Sequence, residues 1–138
     1  MFKNVVFLYF LSLLLFMKIP KSLQVWFKLH FIVDVMFAIP LIFFPGWFME
    51  LLSLPVENLF LARLMGAALL GIGGASFFCK KKEHYEIMLI LKIIWSISAI
   101  LVLVYSAIVE NSFVFWILAL IFLIFSVTWI YYKKRLFS

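Results

Sequence analysis

Residues Ile87 to Val109 read IMLILKIIWSISAILVLVYSAIV, with Lys92 as the only charged side chain. Apolar and polar residues do not alternate with a period of two, so the run is neither a half-buried strand nor the wall of a membrane barrel. About 20 mainly apolar residues in a helix match the thickness of a bilayer's hydrocarbon layer. In hydrocarbon every backbone N–H and C=O must be paired within the segment, which leaves the helix as the solution. Three further stretches pass the same test: Leu29 to Met49, Leu59 to Cys79 and Phe113 to Tyr132. Short connections make consecutive helices antiparallel neighbours. The reading is therefore an all-α integral membrane protein, a four-helix up-down bundle over residues 21–138, preceded by an additional short hydrophobic segment in residues 1–20.

The whole chain agrees. Hydrophobic residues make up 68% and charged residues 13%, and the mean hydropathy is +1.24. A soluble domain of this size keeps too much surface to hide so much apolar area. The net charge of +6 does not point to nucleic acid, because the basic residues sit in short clusters beside the apolar runs. The lipid bilayer is the partner that such clusters imply. The one cysteine, Cys79, excludes an internal disulfide, a CxxC redox pair and a cysteine zinc site.

Those clusters also fix an orientation. Lys18, Lys21 and Lys28 precede the first span, Lys80, Lys81 and Lys82 follow the second, and Lys133, Lys134 and Arg135 follow the fourth. An even number of spans puts all of them on one side. The opposite loops carry Glu50, Glu57 and Glu110 and no Lys or Arg. The positive-inside rule makes the basic side, including the N-side of the core and the C-terminus, cytoplasmic. Trp129, Tyr131 and Tyr132 fall at the inner interface, and Trp47 and Trp116 near the outer one. Val5 to Met17 is apolar but short. A cleavage site of small residues does not follow it, and removing it would place Lys18, Lys21 and Lys28 outside. It reads as a short span or an interfacial helix, parted from the core by Pro20.

Ionisable groups inside a membrane are costly and mark contacts within the bundle. Asp34 lies roughly 9 Å along the first span beyond Lys28, and Lys92 an equal distance beyond Glu86 on the third, at 1.5 Å per residue. A buried Asp34–Lys92 ion pair is the sharper of two readings and not the leading one. Its alternative has Lys92 snorkelling to the headgroups and Asp34 facing water. His30, four residues before Asp34, shares a helix face with it and is expected at the interface. With His84 the only other histidine, no metal site is expected, and no other cofactor. Arg63 is expected to anchor structure, bridging to Glu50 or Glu57 or holding a lipid phosphate. Gly66, Ala67, Gly71, Gly73, Gly74 and Ala75 lack the GxxxxGK[ST] pattern of a nucleotide loop. Ala67, Gly71 and Ala75 repeat every four residues, as small residues do where helix backbones approach closely. Pro40 is expected to kink the first span.

From Phe31 to Ile130, Asp34, the sequence Pro45-Gly46-Trp47, Leu54-Pro55, Arg63-Leu64-Met65-Gly66-Ala67 and Leu69-Leu70-Gly71-Ile72-Gly73 together resemble small bacterial four-helix inner-membrane proteins of the DoxX-like type. The resemblance implies a bacterial cytoplasmic membrane and the same helix count. Some members of that type are implied to be membrane subunits of quinone-linked oxidoreductases. This chain carries no redox group, so that activity is not transferred to it. Two functions are expected. The first is non-enzymatic: a small subunit or scaffold of a membrane complex, packed on a partner or a second copy through the second span. The alternative is a binder or transporter of a small lipophilic molecule such as a quinone or lipid.

Overall fold

A computed structural model of the protein describes residues 19–137. The segment expected over residues 1–20 lies almost wholly outside them. The described chain forms five helices: α1 (Lys21–Phe43), α2 (Pro45–Leu51), α3 (Leu59–Phe77), α4 (Lys82–Val109) and α5 (Phe113–Phe137). Among the described residues there is no strand. The four longer helices have 23, 19, 28 and 25 residues and are long and apolar enough to cross a membrane.

The first helix differs from the sequence expectation at both ends. It begins at Lys21, directly after Pro20, whose carbonyl accepts from Gln24 N, and so includes the basic approach as well as the apolar span. It ends at Phe43. Pro45 has no N–H to continue the ladder, and it pushes Phe44 out of the helical region (φ −132°, ψ 49°). Pro45 then serves as the first residue of α2, the helical position that tolerates proline best. The stretch read as one span to Met49 is thus a span and a short second helix. α2 closes with Leu54 N bonding Met49 O and Ser53 N bonding Glu50 O, around Ser53 at φ 54°. Asn58 caps α3, its Oδ1 accepting from Phe60 N and Leu61 N at 3.1 and 3.2 Å.

α1 packs closely along α3, and α4 along α5, while α3 and α4 barely touch. The two pairs meet through large side chains at the end that carries the lysine clusters. There Leu23 and Phe27 of α1 pack with Tyr85, Met88 and Leu89 of α4 and Phe125, Trp129 and Tyr132 of α5. A second cluster, Ala38, Leu41, Phe48, Ala62 and Leu69, joins α1, α2 and α3 toward the other end. Outward positions along all four long helices are apolar: Met36, Leu64, Ile94 and Val127 are each at least half exposed.

The backbone approach of α1 to α3 runs through Ala62, Gly66, Leu69, Gly73 and Ser76, all buried. Their spacing of four, three, four and three keeps one face toward the partner. A methyl group on Gly66 would lie 2.8 Å from Ile42 Cγ1 and 3.0 Å from Ala38 O. The stripe Ala67, Gly71 and Ala75, expected to pack within the bundle or against a second copy, lies off this α1 contact. Ala67, Gly71 and Ala75 are exposed, and a Cβ on Gly71 or Gly74 would meet nothing within 4 Å. A strict four-residue repeat drifts around a helix of 3.6 residues per turn, whereas the alternating repeat stays on α1.

Candidate functional site

α1 carries His30 and Asp34 one turn apart on its inner face, and α4 carries Lys92 opposite them. All three are buried, Lys92 completely. Asp34 and Lys92 do not pair directly; the ring of His30 stands between them. His30 Nδ1 is 2.7 Å from Asp34 Oδ2 and 3.1 Å from Lys92 Nζ. His30, expected at the interface, is therefore the link of the buried cluster. One ring nitrogen cannot hold both contacts as hydrogen bonds. With a proton it donates to the carboxylate, and with a lone pair it accepts from the ammonium. The Asp34 Oδ2 contact is short, but no aligned donor reaches that oxygen, so it is a close polar contact and not a formed hydrogen bond.

Aromatic rings complete the surroundings. Lys92 Nζ lies 5.3 Å from the Phe27 centroid and 5.2 Å from that of Trp129, within reach of a cation–π attraction that partly replaces lost hydration. The edges and faces of Phe125 and Trp129 enclose His30 at 4.7 and 5.4 Å. On the α3 side Asp34 lies against bare backbone: a Cβ on Gly73 would stand 2.6 Å from its Oδ2. Gly73 leaves room for the carboxylate, a role that sequence spacing alone did not reveal.

Next to this cluster lies a cavity of ≈ 490 Å³ between the two helix pairs. Its walls are Val33, Asp34, Phe37 and Leu41 of α1, Phe48 of α2, Ala62, Met65 and Leu69 of α3, Trp95, Ser98, Ala99 and Val102 of α4, and Phe115, Leu118 and Phe122 of α5. Leu61 and Met65 on one side and Val102 on the other are each about half exposed or more. The cavity therefore opens sideways, where α3 and α4 barely touch. Asp34, only 5% exposed, is among its walls, and the buried Trp95 indole N–H has no acceptor among the described residues.

Arg63 forms no salt bridge with Glu50 or Glu57 among the described residues. Its Nε donates to Ile42 O at 3.3 Å, a carbonyl at the end of α1 that the Pro45 break leaves without a helical partner. Anchoring is thus its structural part, with a backbone carbonyl in place of a carboxylate. At the basic end, Lys133 bridges Glu86 at 2.7 Å, and His84 Nδ1 accepts from Lys80 N. Among the described residues no three of His, Cys, Asp and Glu converge as metal ligands would.

Compared with protein-family models, curated proteins and solved structures, the chain has no match.

Proposed function

We propose that the protein is an integral membrane protein that binds a small lipophilic molecule, such as a quinone or lipid, in the cavity between its helix pairs. The supporting observation is the sideways-open, apolar-walled cavity that ends at a buried ionisable cluster. Ligand sites are concave and mostly apolar with a few polar groups that set orientation, and this volume falls within their usual range. Ionisable residues within membrane spans are rare, face the bundle interior or a cavity, and mark substrate or ion paths. The mouth faces the bilayer, so a ligand enters from lipid.

The test is photolabelling of the full chain in phosphatidylcholine nanodiscs with a diazirine-bearing decyl alcohol. Label should concentrate on the cavity-facing peptides of α3 and α4 and disappear in Ala99→Trp, which fills the cavity without touching the charged cluster. Label spread evenly over all outward faces, and unchanged in that variant, removes the reading.

The orientation that accompanies this proposal is the positive-inside one, with the lysine clusters cytoplasmic. Cys79, the single cysteine, reports on it. Its thiol lies just beyond α3, half-buried and bonded to Ala75 O at 3.7 Å. Burial pushes its pKa up, and the charge of Lys92 pulls the other way more weakly. Since the thiolate is the nucleophile, Cys79 should react with a membrane-permeant maleimide in intact cells, more slowly than a cysteine at exposed position 80 (Lys80→Cys). Labelling at either position by an impermeant maleimide in intact cells would reverse the orientation.

A second reading, the small subunit of a complex, draws on the exposed Ala67, Gly71 and Ala75. Open space around Gly71 and Gly74 leaves that side of α3 free for another helix. Gly71→Leu should then shift the species seen on blue-native gels to lower mass while leaving the monomer folded. An unshifted band counts against this reading.

A further inference from the structure

The chemistry of the cavity's polar end narrows the class of ligand. Asp34 is 5% exposed, and what remains exposed faces the cavity it lines. Its two oxygens differ. Oδ2 is closed off against His30 and Gly73. Oδ1 is not among the closed-off atoms, and no described residue donates a hydrogen bond to it. An ionised carboxylate only accepts hydrogen bonds, so the cavity presents an acceptor that requires a donor. Asp34 and Lys92 are residues of opposite charge type at this end of the cavity, so a charged headgroup would add a buried charge without a counterpart of its own.

We infer that the cavity takes a neutral, single-chain amphiphile with a hydroxyl head, a lipid alcohol, whose O–H donates to Asp34. This inference rests on the cavity-binding reading above. A head that only accepts, such as a quinone carbonyl or an ether, leaves the carboxylate unpaired. A hydroxyl serves as both donor and acceptor. Its alkyl chain follows Phe37, Leu69, Val102 and Phe122 toward the opening between α3 and α4.

The deciding experiment is competition against the diazirine decyl alcohol in nanodiscs, with competitors matched in membrane mole fraction. They are dodecanol, methyl dodecyl ether, dodecylammonium and dodecanoate. Hydrogen bonds to charged groups predict that dodecanol displaces the probe about ten- to a hundredfold more effectively than the ether. In Asp34→Asn the side-chain amide can donate as well as accept, so the preference should shrink to near unity. The wild-type comparison stands alone if that variant fails to fold. Equal competition by alcohol and ether overturns the hydroxyl inference and leaves the cavity reading intact. Stronger competition by dodecylammonium or by dodecanoate overturns it in favour of a cationic or anionic ligand. Absence of any label in the cavity overturns both. The other candidate occupant is the chain's own Val5 to Met17. A photoreactive residue at position 65 that captured that peptide in place of the alcohol would also overturn the inference.

Discussion

Gly73→Ala should destabilise the protein by about 1–3 kcal/mol, the usual range for inserting a methyl group into a closed contact, although alanine is the better helix former. The added Cβ would stand 2.6 Å from Asp34 Oδ2 and 2.8 Å from Asp34 Cβ. Asp34 cannot yield easily. His30 occupies its other side, and moving the carboxylate toward lipid would strand a charge. α1 and α3 must therefore part, opening the closest helix contact in the molecule's first pair. Gly71→Ala is the control: its Cβ meets nothing within 4 Å, so its effect should be neutral or slightly stabilising. Thermal unfolding in mild detergent, followed by size-exclusion profile, measures both. Because Asp34→Ala removes the contacts with Oδ2 and Cγ but keeps the one with Cβ at 2.8 Å, its combination with Gly73→Ala should lose somewhat less than the two single changes added together. A Gly73→Ala protein as stable as the wild type would mean that α1 and α3 are not in this register.

The parts of the fold that depend on composition over 20 residues were open to the sequence. Four apolar runs and the fully apolar outward faces need no tertiary information, because lipid-compatible surface is a property of the segment itself. Boundaries and faces depend on finer matters. The end of α1 at Phe43 is written in Pro45, yet the apolar run continues past it to Met49, and hydropathy does not register a broken ladder. The contact face of α3 was present as Ala62, Gly66, Gly73 and Ser76, but a four-residue repeat of small residues one position round the helix pointed away from it. Only the partner helix decides between two such stripes. Asp34, Lys92 and His30 were each identifiable as polar residues in apolar surroundings. Depth alone paired the first two, because it carries no rotational information about α4. The insertion of His30 follows from which face of α1 meets α4, and bulky neighbours such as Phe27 and Trp129 set that. A cavity was expected from the Pro40 kink and the polar residues of the first and third spans, but its place was not legible, since it arises where two packed pairs fail to close on each other.

Lys92→Met should be more damaging than Gly73→Ala, at about 3–5 kcal/mol, the range for removing one partner of a buried charged cluster. Lys92 is completely buried. Its methylene chain has an apolar replacement in Met, so the loss is chiefly electrostatic: Asp34 stays enclosed while the ammonium of the cluster is gone. Asp34→Asn removes the carboxylate, and the double variant should recover part of the loss, with a coupling of about 1 kcal/mol or more between the sites. The structure adds a condition that a direct ion pair would not meet. His30 Nδ1 stands 2.7 Å from Asp34 and 3.1 Å from Lys92, so the coupling passes through the ring. Repeating the cycle in a His30→Leu background should cut the coupling by more than half, because the polarisable bridge is replaced by hydrocarbon that hydrogen-bonds to neither partner. A coupling of undiminished size in that background would restore the direct pair expected from depth alone and would make the histidine a bystander. The same cycle read through probe labelling separates the fold from the site. A cluster that serves only packing would change stability and leave the alcohol preference of every folded variant untouched. A cluster that orients the cavity's acceptor would lose that preference in the variants that misplace Asp34, even where the protein remains as stable as the wild type.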